Sequence, residues 1–298
     1  MTTILLAGKT GQVGWELQRT LAPLGRLIAL GRGEMDHSDP DSIRAAIRAA
    51  KPSIIVNAAG YTAVDKAETE TDLTTRINAV APGILAEEAK RIGAPLIHFS
   101  TDYVYDGEQE RPYTEDDAPN PVNAYGKSKL AGERAIQAVG GAHLILRTSW
   151  VYSARGSNFV LAILRLARER PQLQVVSDQV GSPSWARALA EATASILRKP
   201  QLIKDHADVY HLSAAGQVSR YEFARAIVRI MKEVSGPSDG WAEITPITTA
   251  SYPRLPASRP LNPVTDKSRI RRVFDVEMPA WEAQLHSFLS EFAAAQRA

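Results

Sequence analysis

Short apolar runs alternate with helix-length amphipathic stretches through the first half of the chain. Residues 4–7 form the first apolar run, and 12–24 read as a helix closed by Gly25. Residues 26–30 read as a second strand, followed by a helix over 39–50 with Asp39 as its N-cap and Pro40 in its first turn. The run 53–57 reads as a third strand, 65–91 as one long or broken helix, and 95–100 as a fourth strand. A helix over 121–139 carries Tyr125 and Lys129, and 143–149 reads as a fifth strand. Strands alternating with helices require right-handed crossovers and a parallel sheet covered on both faces. The expected fold is therefore α/β, built on a doubly wound parallel sheet.

The second half is less regular. Residues 158–170, 183–198, 219–234 and 278–296 read as helices, and 174–177, 209–213 and 244–247 as short strands. Prolines 253, 256, 260 and 263 crowd one loop. The expected organisation is a dinucleotide-binding domain over residues 1–150, with some later segments returning to its sheet. Residues 151–298 then form mainly a smaller α/β substrate-binding domain.

Composition narrows the function without naming it. The 298 residues can bury a substantial core. Lys+Arg 35 against Asp+Glu 33 leaves a net charge of +2, no basis for nucleic-acid binding. Arg269-Ile-Arg-Arg272 reads as a solvated helix end. There is no cysteine, hence no disulfide, thiolate nucleophile or Cys-held metal. The six histidines (37, 98, 143, 206, 211, 286) lack close ligand spacing. No apolar run reaches the roughly 18 residues of a membrane span, and the N-terminus lacks the flank of a signal peptide. These features describe a cytoplasmic protein without a membrane partner.

Four segments carry candidate chemistry. Gly8-Lys-Thr-Gly11-Gln-Val-Gly14 lies between the first strand and the first helix, where a chain turns sharply and can approach a pyrophosphate closely. The spacing differs from G-x-G-x-x-G. Strand two ends at Gly31, where NAD-selective sites usually place an acidic residue. Arg32, next in the chain, suits a 2′-phosphate and so favours NADPH, with NADH use left open. Asp36-His37-Ser38 is a candidate for the adenine end. Asn57-Ala58-Ala59-Gly60 leaves room for a cofactor at the sheet edge, although a close-packed turn accounts for the residue types almost equally well.

The last segments concern proton transfer. Thr101 and Asp102 stand at the end of strand four. Tyr125 and Lys129 share one helix face at a spacing of four. A tyrosine with its usual pKa of about 10 is a poor acid–base group at neutral pH, and a nearby ammonium lowers that value. Tyr125, Lys129 and Thr101 are thus the candidate catalytic set for hydride transfer to or from a carbonyl.

Assembled, these residues resemble the extended short-chain dehydrogenase/reductase family, and within it the reductases of dTDP-linked 4-keto-6-deoxy sugars. The resemblance runs nearly end to end. It is carried by Gly8-Lys-Thr-Gly-Gln-Val-Gly-Trp-Glu-Leu17, Asn57-Ala-Ala-Gly-Tyr-Thr-Ala-Val-Asp-Lys-Ala-Glu68, Ser100-Thr-Asp-Tyr-Val-Tyr105, Tyr125-Gly-Lys-Ser-Lys-Leu-Ala-Gly-Glu133 and Arg147-Thr-Ser-Trp-Val-Tyr152. Asp178-Gln179, Gly181-Ser-Pro183 and Arg259-Pro260-x-Asn262 continue it. It implies a Rossmann-like sheet, a dTDP-sugar substrate and NADPH as cofactor. It assigns Gly11, Gln12 and Val13 to the pyrophosphate, and Gly60, Tyr61 and Thr62 to the cofactor further along. Tyr125 is the implied proton donor, and Lys129 tunes it and holds the nicotinamide ribose. Thr101, Asp102 and Trp150 face the sugar, and Arg259 the nucleotide diphosphate. Some members bridge two subunits through Mg²⁺ held by acidic side chains. Here Glu16 is followed by Arg187 and Glu191 in the relevant region, so no structural metal is expected, and the chain is a monomer or a homodimer. Two alternatives stay open: another nucleotide-sugar enzyme of the family, an epimerase or dehydratase, and a non-catalytic regulatory subunit on the same fold.

Overall fold

A computed structural model describes residues 2–235 and 240–297. Six strands form one parallel sheet: β1 (Thr3–Ala7), β2 (Arg26–Leu30), β3 (Ile54–Asn57), β4 (Leu96–Thr101), β5 (His143–Thr148) and β6 (Asp208–His211). Their order is β6-β5-β4-β3-β1-β2. Ile4 of β1 pairs with Leu27 on one side and Ile54 on the other, so the chain reverses direction across the sheet at β1. That reversal opens a crevice at the carboxyl ends of β1 and β3, where ligands of open α/β sheets bind.

Alternation along the strands builds two cores. Ile4, Leu6, Val56, Ile97, Leu144 and Leu146 pack on one face of the sheet. Leu5, Ala7, Ile55, Leu96 and Ile145 pack on the other. This is the period-two geometry of a strand buried on both sides. Each such Leu or Ile contributes about 1.5–3 kcal/mol on burial, so a polar substitution on either face is costly. The helices α1 (Gln12–Leu21), α2 (Pro40–Ala50), α3 (Ala81–Arg91) and α4 (Ala124–Val139) connect successive strands. Asp39 caps α2 as expected, accepting from Asp41 N–H at 2.9 Å. Asn123 caps α4, accepting from Gly126 N–H at 2.7 Å, and this sets the angle at which Tyr125 leaves the helix start.

The second half adds α5 (Phe159–Glu169), α6 (Ala186–Leu197), α7 (Arg220–Ser235) and α8 (Trp281–Arg297). Its apolar side chains, among them Trp185, Phe223, Leu285 and Phe288, join the core on the first face of the sheet. A two-stranded parallel sheet pairs 172–176 with 243–247. The strand at 208–211 is the later segment that returns to the main sheet.

Several boundaries differ from the sequence reading. Residues 65–91 divide into a 3₁₀ turn (Lys66–Glu68), one helical turn (Thr71–Thr75), a π-helical turn (Arg76–Val80) and α3. The helix expected from 183 begins only at Ala186, because Ser184–Trp185 pair with Val151–Tyr152. Helix 12–24 tightens to 3₁₀ geometry over Ala22–Leu24. Short helices at Pro200–Asp205 and Ser268–Phe274 carry too few residues for a periodic signal. Arg269 lies in the latter, paired with Asp116 and Asp208 rather than simply solvated. Among the described residues no helix is long and apolar enough to cross a membrane.

Candidate active site

The turn after β1 is shaped by close backbone approach. Gly8 has φ +87°, and a Cβ there would lie 2.7 Å from the backbone nitrogen of Ala59. A Cβ on Gly14 would lie 2.0 Å from the Gly8 carbonyl oxygen, so the helix start can sit against the turn only if both positions are glycine. Gly11 precedes α1 with no side-chain cap, and no acidic residue occupies the first turn. The open N–H groups and the positive end of the helix dipole therefore face the cleft, ready for an anion. Gly8, Gly11, Arg32, Asp36 and His37 line that cleft together with Ala58, Ala59 and Gly60.

Each remaining cofactor candidate has a definite place. Gln12 points its amide oxygen at Ser153 and Asn158, at 3.1 and 3.0 Å, and so ties the turn to the second half of the chain. Val13 packs its side chain on the core, leaving its backbone for any phosphate contact. Arg32 is exposed. Glu34 folds back to accept from Gly31 N–H at 2.7 Å and is held by Lys9 at 2.7 Å, so an acidic group does lie beside the end of β2. Asp36 accepts from the backbone and hydroxyl of Ser38, which lowers its pKa. The His37 ring is buried with neither nitrogen hydrogen-bonded, and burial pulls its pKa down to about 4. An uncharged, unpartnered ring lining a glycine-shaped cleft fits the adenine end of a dinucleotide. Tyr61 N–H donates to Asn78 Oδ1 at 2.8 Å, and Thr62 is exposed.

The candidates for proton transfer lie along the last residues of β4. The Thr101 side chain bears directly on the Tyr125 hydroxyl. Thr101 donates to Asp102 Oδ1 at 3.1 Å, and Ser149 donates to Asp102 Oδ2 at 2.6 Å. Burial outweighs these donors and holds the Asp102 carboxyl up at about 6. Lys129 is buried and donates to the Phe99 carbonyl at 2.7 Å, with His98 Nε2 at 3.1 Å. Burial lowers its pKa to about 8, against the opposing pull of Glu133. The expected lowering of Tyr125 is not what these residues produce. Loss of water around the hydroxyl raises its pKa, the neighbouring Thr101 side chain lowers it less, and Asp102 and Tyr103 push it further up. Lys129 is committed to Phe99 and His98, which explains why it does not depress Tyr125 here.

Aromatic and cationic groups surround the residues expected to face a sugar. Trp150 has φ +43°, a strained value for a residue with a side chain. Its ring lies on Gly181, where a Cβ would approach Trp150 Cε2 to 2.4 Å. Arg220 stacks over the same ring, 3.7 Å from its centroid. Arg259 makes a two-pronged pair with Asp65, at 2.8 and 2.7 Å. Its fork is therefore engaged by a carboxylate, although it still faces Tyr103 electrostatically. Glu16 and Glu291 both contact Arg187, and Glu191 contacts Arg19. Among the described residues no group of three His, Cys, Asp or Glu side chains is arranged to hold a metal.

Three participants escaped the sequence reading: His98, Asn78 and Arg220. His98 looks like one more strand residue, Asn78 sits in a helix that only the structure shows to be π-helical, and Arg220 is a lone cation at the start of α7. None belongs to a spacing pattern.

A model of the family described as RmlD substrate binding domain matches residues 1–294. The chain is 45% identical over 283 residues to the dTDP-4-dehydrorhamnose reductase of Burkholderia thailandensis, covering 93% of this chain and 95% of that protein. It is 44% identical over 292 residues to the enzyme of that name from Salmonella typhimurium, covering 97% of each. A crystal structure of dTDP-4-dehydrorhamnose reductase from Bacillus anthracis in complex with NADP superposes with a TM-score of 0.88 at 32% identity, over 98% of this chain and all of that one. With its glycine turn, its Thr101, Tyr125 and Lys129 set and these full-length matches, the chain belongs to the RmlD substrate-binding-domain family, on the extended short-chain dehydrogenase/reductase fold.

Proposed function

We propose that the chain reduces the C4 ketone of dTDP-4-dehydro-6-deoxy-L-mannose to give dTDP-L-rhamnose, with NADPH as reductant. The observation that carries this reading is that Tyr125 faces Thr101 and Lys129 bonds the Phe99 carbonyl, both at β4, in a chain nearly half identical to reductases of that name. When bound, NADPH supplies the hydride to C4. Tyr125 keeps its proton, its pKa being raised, until negative charge develops on the C4 oxygen, and then gives that proton up. Thr101 hydrogen-bonds the same oxygen and orients it. Lys129, on the same helix face, would supply positive charge to the resulting phenolate by turning from Phe99 and His98. Asp102 and Trp150 hold the hexose, and the raised carboxyl of Asp102 lets it act as donor or acceptor to a sugar hydroxyl near neutral pH.

Cofactor contacts in this reading fall to Gly8, Gly11, Gln12 and Val13 at the pyrophosphate and Arg32 at the 2′-phosphate. Asp36 and His37 serve the adenine end, and Ala58 to Thr62 the nicotinamide side. Residues 1–150 carry the cofactor and 151–298 mainly the sugar nucleotide. The active unit is a monomer or a homodimer, which analytical ultracentrifugation decides.

The test is NADPH absorbance with purified protein and dTDP-4-keto-L-rhamnose, with NADH in parallel. Rapid NADPH oxidation is expected, and Arg32→Ala narrows the NADPH over NADH preference. Tyr125→Phe loses roughly 10²–10⁴-fold in kcat while NADPH affinity, read by fluorescence, is kept. An unchanged rate in that variant removes Tyr125 from the mechanism.

A further inference from the structure

Behind the catalytic pair lies a buried chain of three polar side chains. Asn57 ends β3, His98 is in β4 and Lys129 is on α4, all three almost wholly enclosed. The direction of this chain follows donor by donor. Asn57 Oδ1 accepts from Ala59 N–H at 3.0 Å, which fixes the amide, since the reversed orientation sets two donors face to face. Asn57 Nδ2 therefore donates to His98 Nδ1, 3.0 Å away. With Nδ1 an acceptor, neutral His98 carries its hydrogen on Nε2, and Nε2 lies 3.1 Å from Lys129 Nζ.

Lys129 has two forms to present to that hydrogen. An ammonium has three donors and no acceptor, so it meets Nε2–H donor to donor. An amine offers its lone pair to Nε2–H and still donates to the Phe99 carbonyl at 2.7 Å. Charging His98 does not relieve the conflict, because burial, Lys129 and His37 hold its pKa well below the ordinary histidine value. The other groups facing this pair are few. Glu133, one turn along α4, favours the ammonium but is itself bound by Arg147 and Ser100. His37 approaches from the loop after β2, with Asp36 acting on His37 itself, and Tyr125 lies on the same helix face.

We propose that His98 is a positioning residue for the reduction: locked by Asn57 as the Nε2–H tautomer, it favours the amine form of Lys129 and so sets the alkaline boundary of the catalytic pair. The consequence is that Lys129 charges and discharges within reach of working pH, where an isolated lysine stays fully charged. This role rests on the assignment of Tyr125 and Lys129 as the reacting pair, but its tests need no substrate.

The first test is a long-range proton–nitrogen correlation spectrum of the ¹⁵N-labelled protein near neutral pH. A protonated Nε2 and an unprotonated Nδ1 on His98 are expected, and the opposite tautomer or a doubly protonated ring overturns the proposal. The second is a pH titration of the Lys129 ε-carbon resonance in ¹³C-lysine-labelled protein. In His98→Phe, which keeps the ring shape and removes the donor, the Lys129 pKa should rise by about one unit. Asn57→Leu frees the tautomer and should move it the same way. A Lys129 pKa unchanged or lower in a folded variant overturns the role of His98. If either variant fails to fold, the tautomer in the unsubstituted protein still decides. A protein with the expected tautomer and lysine shift but no turnover of the dTDP-sugar would refute only the substrate assignment.

Discussion

At the scale of single residues, the site is governed by which groups lose water and which find partners. Asp102 shows the balance. Burial holds its carboxyl at about 6 against an ordinary 3.8, even with Ser149 and Thr101 donating to it. Between those two values the folded chain keeps a proton that the unfolded chain has lost. Stability from this group is therefore greatest at acid pH and falls as pH rises from about 4 to about 6. Asp102→Asn should flatten that part of the stability curve, measured by thermal unfolding at a series of pH values. An identical slope in both proteins would place the proton elsewhere. The placement of Tyr125 and Lys129 on one helix and of Thr101 at a strand end was legible in the sequence, because helix spacing and strand-end position are local properties. The sign of the Tyr125 shift was not, because it depends on how much water the assembled site excludes and on where Lys129 points.

At the scale of elements, the stretch that follows β3 and the helix α4 are bound together by a segment whose geometry the sequence left unresolved. The π-helical turn Arg76–Val80 presents Asn78 sideways. Its amide holds Tyr61 through two hydrogen bonds, at 2.8 and 2.9 Å, and donates to Ser128 on α4 at 3.0 Å. The stretch 60–62 and the helix of Tyr125 are thereby kept in register. Asn78→Ala should leave kcat nearly intact at saturating cofactor and weaken NADPH binding about tenfold, the order expected for a lost hydrogen bond of about 1.4 kcal/mol. Isothermal titration measures this directly, and an unchanged affinity would show that the 60–62 stretch holds its place without Asn78. Broken periodicity over 65–91 was visible in the sequence. The extra residue per turn that re-aims Asn78 was not, because π geometry has no composition of its own.

At the scale of the whole molecule, a buried ion pair fastens α4 to the sheet. Arg147 on β5 meets Glu133 on α4 at 2.6 Å, both side chains under 5% exposed. Ser100, beside Thr101, also donates to Glu133. Glu133→Gln leaves the Arg147 guanidinium enclosed without its counter-charge. A loss of about 3–5 kcal/mol in urea unfolding is expected. A loss below about 1 kcal/mol would mean that Tyr105, which accepts from Arg147 at 2.6 Å, carries the arginine alone. The second half closes over the opposite face of the sheet, and Trp150, Arg220 and Gly181 come together from separate segments.

The amino-acid order alone determined the alternation of strands and helices, the parallel sheet that alternation demands, the glycine turn and the Tyr125–Lys129 spacing. Each is a property of near neighbours, set by side-chain period, backbone freedom and helix pitch. Only the tertiary structure decided that Lys129 turns to His98, that Asn57 fixes the tautomer of His98, that Arg259 pairs with Asp65 and that Arg220 covers Trp150. Those contacts join residues about 30 to 190 positions apart. Their chemistry depends on distances, burial and donor direction, which exist only once the two cores have brought the elements together.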